Sequence, residues 1–197
     1  GESFQINTKM AEEQQPTKAK KGAKKTFFEV RAPFTATKIQ LYGGSAEELV
    51  NKVVKLDLTR SLKGKNFEIR LKVVKSELGH LEAEPIGIEL VGSYIRRMMR
   101  LGIDYIEDSF VSEIKDGKAR IKPFMITRNK VSRAVRNELR NSAKIFIESF
   151  VKMRPSKEIF TDLITNKLQK ELFIRLKKIY PLALCEIRVF NLVNEKK

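Results

Sequence analysis

The chain has 197 residues, with 40 lysines and arginines against 24 aspartates and glutamates, a formal charge of +16. That length suits one domain with or without appendages, and the 42% hydrophobic content can build a sizeable core, which excludes wholly disordered and collagen-like chains. A lone cysteine cannot staple the fold, no apolar run approaches the roughly 18–20 residues of a membrane span, and the polar, lysine-rich first 25 residues lack a signal-peptide core, so an intracellular soluble protein is expected.

Residues 1–25 read as a disordered basic tail, too poor in apolar groups to offset the entropy of ordering. Lys18, Lys20, Lys21, Lys24 and Lys25 put five lysines into eight residues around Gly22 and Ala23. The run suits an arm lying along phosphates, and equally an idle solvated tail.

Residues 26–126 read as a β-rich body. Phe27, Phe28 and Val30 make a short strand ending before Pro33, and Lys38–Tyr42 a second, closed by Gly43-Gly44. Ser45 and Glu48 form a capping box that predicts a helical turn over 46–50. Val54, Leu56 and Leu58 alternate as in a half-buried strand. Phe67, Ile69, Leu71 and Val73 share one face of the next strand, and 81–91 returns with Ile86, Ile88 and Leu90 together, an antiparallel hairpin in which Pro85 predicts an edge or a bulge. Residues 93–101 predict a short helix with Tyr94, Ile95, Met98 and Met99 inside, ended by Gly102. Two strands follow, 103–115 and 118–126, around an Asp116-Gly117 turn that needs a positive φ. About six strands with short turns predict an α+β fold, an antiparallel β-barrel or strongly twisted sheet with packed helices.

Residues 127–197 read as a helical part with a final strand, packed on the body as one globular unit. Thr127 is the expected cap of a long helix over 128–151, about 36 Å at 1.5 Å per residue. Its apolar stripe is Val131, Val135, Leu139, Phe146 and Phe150. Beyond Pro155, Ser156 opens one further helical stretch that stops before Pro181, and 183–193 is the last strand.

The net charge calls for an anionic partner, with nucleic acid first and lipid or acidic protein behind it. A surface selected only for solubility is the bland alternative, although acidic residues serve that purpose as well. Arg133, Arg136, Arg140 and Lys144 fall at spacings of three, four and four, so they line one face of the long helix beside the apolar stripe. Arg128 and Lys130 extend that charge at the helix start, and only Glu138 and Glu148 oppose it. Like charges at this spacing repel by a few tenths of a kcal/mol per pair, so the row makes physical sense with phosphates along it. Arginine suits such contacts because its planar fork gives two hydrogen bonds to one phosphate. Arg96, Arg97 and Arg100 make a second cluster on the short helix, and Arg60, Lys63 and Lys65 a third in a loop with Gly64. Either could be an ordinary solvated surface.

Catalytic readings fare badly. His80 is the only histidine and sits in a predicted turn, while Cys185 alternates into the apolar face of the last strand. One histidine and one cysteine make no zinc constellation, and Gly43-Gly44 is followed by no Lys-Ser or Lys-Thr pair. Asp104, Glu107 and Asp108 read as surface charge, so no catalytic, metal or cofactor site is expected. With no tryptophan and four tyrosines, base stacking is not the obvious mode of binding.

The order of several stretches resembles one family. They are KKGAKK at 20–25, FFEVRAP at 27–33, DLT at 57–59, GKNFEIRL at 64–71, YIRRMMR at 94–100, DGKARIKPF at 116–124, the arginine-rich helix, KKIYPL at 177–182 and EIR at 186–188. The chain thus resembles the S3Ae (eS1) family of archaeal and eukaryotic small-subunit ribosomal proteins over about residues 20–193. It departs from that pattern at Val91-Gly92-Ser93, where members usually carry a Thr-Arg-Asp-like triplet, and in the first strand, where phenylalanine stands for a usual tryptophan. The resemblance implies a non-enzymatic, cytoplasmic ribosome component on the small-subunit platform near the messenger-RNA exit. The implied partners are small-subunit ribosomal RNA, neighbouring platform proteins and messenger RNA at the exit, with no membrane. A free RNA-binding regulator or chaperone outside the ribosome is the alternative.

Overall fold

Alternation of apolar and polar side chains decides most of the strands. The computed structural model describes residues 25–32, 39–59, 62, 66–75 and 80–193. The candidate residues Lys18, Lys20, Lys21, Lys24, Arg60, Lys63 and Lys65 lie outside them. In chain order the elements are β1 (Thr26–Arg31), β2 (Ile39–Gly43), α1 (Ala46–Leu49), β3 (Val53–Asp57), β4 (Phe67–Lys75), β5 (Leu81–Leu90), α2 (Gly92–Met98), β6 (Tyr105–Glu107), β7 (Phe110–Ile114), β8 (Gly117–Thr127), α3 (Arg133–Lys152), α4 (Ser156–Ile164), α5 (Lys167–Leu176) and β9 (Leu182–Val193).

The nine strands form one mixed sheet. Its main path runs β2-β1-β5-β9-β8-β6, with β4 and then β3 on the other flank of β5, and with β7 also paired to β8. The expected barrel does not form, because the sheet is neither closed nor strongly curled. The β1–β5 pairing is parallel, and among the described residues the path ends at β2 and β6. The apolar side is covered instead by a helical layer in which α3 meets β7, α5 meets β9 and α4 meets β5. Phe160 on α4 and Phe190 on β9 meet edge-to-face at 5.2 Å within that core.

Several boundaries differ from the sequence expectation for local reasons. Pro85 marks a bulge, not an edge: Leu71 pairs Pro85 and Arg70 pairs Gly87, leaving Ile86 as the extra residue. The inward phase therefore changes from Leu81, Ala83 and Pro85 to Ile88 and Leu90, and Ile86 leaves that face. The expected strand 103–115 is two strands, interrupted where the Asp108 carboxylate accepts from the Ser109 N–H at 2.8 Å. These two pair with different parts of β8. The short helix ends at Met98, before Gly102, and Met99 is 40% exposed instead of inside. Thr127 remains in β8, and the long helix starts five residues later than expected, capped by Ser132, whose hydroxyl accepts from Val135 N–H at 3.4 Å. The single helix expected after Pro155 is two, because Asn166 takes a left-handed φ of 62° between α4 and α5. The Ser45 cap, with the Glu48 carboxylate accepting from Gly44 N–H at 3.0 Å, and the positive φ of Gly117 at the β7–β8 turn agree with the sequence.

Candidate nucleic-acid interface

Helix α3 is amphipathic in a way that leaves a cationic flank. Leu139, Ala143, Ile147, Phe150 and Val151 are buried, while Val135 and Phe146 are half-buried at the margin; Val131, expected on this stripe, precedes the helix. Burying the Leu, Ile, Phe and Val side chains contributes about 1.5–3 kcal/mol each, which holds the helix face in place. Arg133, Arg140 and Lys144 stand exposed beside that stripe. Arg136 is half-buried, and its Nε has no hydrogen-bond partner among the described residues.

The neutralised cations lie elsewhere. Arg70 pairs with Glu89, Arg154 with Asp162, and Arg188 with Glu107 at 2.7 Å. Arg154 also lies over the Phe150 ring at 3.6 Å. Among the described residues no carboxylate pairs with Arg133, Arg136 or Arg140. Lys144 has only a loose partner, Glu148 at 4.0 Å, and sits 5.8 Å from the Phe110 ring centre. An exposed pair of this kind contributes about 0–1 kcal/mol. The α3 arginines thus have no carboxylate partner among the described residues, whereas Arg70, Arg154 and Arg188 are committed to the fold.

The segment leading into α3 is held by an acid that the sequence suggested was only surface charge. The Asp104 carboxylate accepts from Val131 N–H at 2.9 Å. The Thr127 hydroxyl accepts from Asp104 N–H at 3.1 Å and donates to the Asn129 carbonyl at 2.7 Å. These bonds position exposed Arg128 and Lys130 at the start of the row. Glu107 and Asp108 are likewise engaged, with Arg188 and Ser109 N–H. Among the described residues no group of three or more His, Cys, Asp or Glu side chains could hold a metal ion.

Arg96, Arg97 and Arg100 are all exposed, the first two in the last turn of α2, where the helix dipole also favours cations. Burial and the charge of nearby Glu186 on β9 push the Tyr94 phenol above its ordinary range, with Arg97 acting against them. This second cluster therefore lies on an element distinct from α3. Lys25 is exposed, with its ammonium 5.9 Å from the Tyr42 ring centre. Sequence reasoning passed over Lys167, Lys170, Lys177 and Lys178, exposed on and just after α5, and the exposed aromatic pair Phe27 and Tyr42. The contiguity of Phe27 and Phe28 was the available signal, since neighbours in a strand point to opposite faces.

Cys185 is buried, and burial followed by the Glu186 charge pushes its thiol well above the ordinary range, which suits a core residue and not a nucleophile. His80 is exposed just before β5. No helix among the described residues is long and apolar enough to cross a membrane.

A model of the ribosomal S3Ae family matches residues 13–196. The small ribosomal subunit protein eS1 of Nanoarchaeum equitans is 27% identical over 181 residues, covering 88% of this chain and 91% of its own length. The protein of the same name from Thermoplasma acidophilum is 29% identical over 196 residues, 94% of this chain and 90% of its own. That of Saccharolobus islandicus is 29% identical over 136 residues, 66% and 64% respectively.

Proposed function

The chain belongs to the ribosomal S3Ae family, whose members are small-subunit ribosomal proteins and not enzymes, and from that premise we propose that it binds small-subunit ribosomal RNA through the α3 row. Its place is the platform near the messenger-RNA exit, beside other platform proteins, where it supports assembly and translation. Arg128, Lys130, Arg133, Arg136, Arg140 and Lys144 grip phosphates, and Arg96 and Arg97 on α2, with Arg100 just beyond it, make a second contact. The lysines at 18–25 and Arg60, Lys63 and Lys65 add backbone contacts. The observation that carries this reading is that, among the described residues, no carboxylate pairs with Arg133, Arg136 or Arg140, which lie beside the buried stripe of α3.

Reversing Arg133 and Arg140 to glutamate tests it, because both are exposed and Arg136, half-buried, is spared. The variant should keep its circular dichroism spectrum and melting point yet stay in light fractions of a sucrose gradient while the wild type migrates with small subunits. In a binding titration against an rRNA fragment, the slope of log K against log salt should become shallower, by about 0.7–0.9 per lost phosphate contact. Normal incorporation of the variant defeats the assignment of α3 as the RNA face. A wild-type protein found only in light fractions favours a free RNA-binding regulator or chaperone.

A further inference from the structure

We infer that Phe27 and Tyr42, with Lys25 beside them, form a stacking site for an unpaired base of single-stranded RNA. The inference rests on the reading that the partner is RNA, but it concerns a different face and a different chemistry from α3. Phe27 on β1 and Tyr42 on β2 are directly opposed in the antiparallel register. Their ring centres are 5.1 Å apart and the planes are tilted by 48°. Yet they are 69% and 57% exposed.

The other face of the same hairpin carries its apolar contacts, with Val30 buried and Phe28, Ile39 and Leu41 packed against the core. Phe27 and Tyr42 are therefore not required to bury the hairpin. Glu29 opposes Gln40 as the next pair along the outer face, so the aromatic pair is an apolar island on a polar surface.

The charge beside that island selects the occupant. Lys25 holds its ammonium 5.9 Å from the Tyr42 ring centre, and in sequence it directly follows Lys24, with Lys21 and Lys20 four and five residues before. A ring pair offers a π-face to any base, and an adjoining cation engages the phosphate that carries it. An arginine row reads a phosphate backbone and is indifferent to pairing, whereas a stacking pair accepts only a base out of its duplex. The site thus adds a preference for single strands.

The chain has no tryptophan, so Phe27→Trp in the full-length protein introduces a unique fluorophore at the site. Its emission should be quenched by an oligouridine of about twelve nucleotides and not by a hairpin duplex. Phe27→Ala and Tyr42→Ala should each weaken oligouridine binding about five-fold or more while leaving duplex binding and the melting point close to wild type. Absence of quenching at oligouridine concentrations that saturate binding overturns the inference, as does unchanged affinity in both alanine variants or failure of the wild type to bind the single strand. Alanine variants that bind oligouridine normally but fail to enter small subunits would make the pair a protein contact, which also overturns it. The Arg133→Glu, Arg140→Glu variant separates the two readings: loss of duplex binding with quenching retained in the Phe27→Trp background supports both. Unchanged duplex binding there refutes only the role of α3.

Discussion

The two halves of the sheet meet where β5 pairs with β9, and a single added methyl at Gly87 tests how that junction is held. Gly87 pairs directly with Asn191. A Cβ built there would lie 2.1 Å from Asn191 Oδ1 and 3.1 Å from its Cγ. That same oxygen accepts from Arg70 Nη2 at 3.1 Å, and Arg70 is also paired with Glu89. Gly87→Ala must therefore turn the Asn191 amide away and break its bond to a half-buried guanidinium. A hydrogen bond to a charged group contributes about 1.5–3 kcal/mol, and the partial exposure of Arg70 places this one at the low end. Replacing glycine in a strand returns about 0.5–1 kcal/mol. The net loss is about 1 kcal/mol, a fall in melting point of about 2–4 °C for a chain of this size. Circular dichroism melts of a double-mutant cycle provide the check. In an Asn191→Ala background the clash is gone, and Gly87→Ala should become stabilising by about 0.5–1 kcal/mol. An equal cost in both backgrounds would refute the argument.

Asp116 caps α4 from the β7–β8 turn, its carboxylate accepting from Ser156 N–H at 2.9 Å and from the Ser156 hydroxyl at 3.2 Å. Asp116→Ala should cost about 1 kcal/mol and speed amide exchange in the first turn of α4, whereas an unchanged melting point and exchange pattern would count against the cap. Alkaline stability is the other outcome to check. Burial raises the Cys185 thiol above its ordinary 9.0, and burial with the Glu186 charge raises the Tyr94 phenol above 10.0. The unfolded chain then ionises first, so this stabilisation is complete below pH 9.0 and is lost as pH rises further. Melting points should decline above that pH, and the native thiol should resist alkylation where the denatured chain reacts. A flat profile, or native alkylation at the denatured rate, would contradict it.

Local pattern was legible where the answer depends on neighbours in sequence. The β4 alternation, the Ser45 cap, the Asp116-Gly117 turn and the burial of Cys185 and Leu139 all follow from periodicity or from one residue's conformational freedom. The helix start was misplaced because Thr127 and Ser132 are both of a capping type, and long-range partners, Leu182 of β9 and Asp104, keep Thr127 in β8. Asp104 looked like surface charge for the same reason, since its partner Val131 is far along the chain.

Sequence alone determined the excess positive charge, the cationic row beside an apolar stripe and the family that the chain resembles, because composition and helical spacing are properties of neighbouring residues. Tertiary structure decided that the sheet stays open, that Arg70, Arg154 and Arg188 are neutralised while the α3 arginines meet no carboxylate among the described residues, and that Phe27 and Tyr42 face outward. Each of those outcomes depends on which distant carboxylate or strand arrives next to a side chain, and that distance is set by the packing of the whole chain.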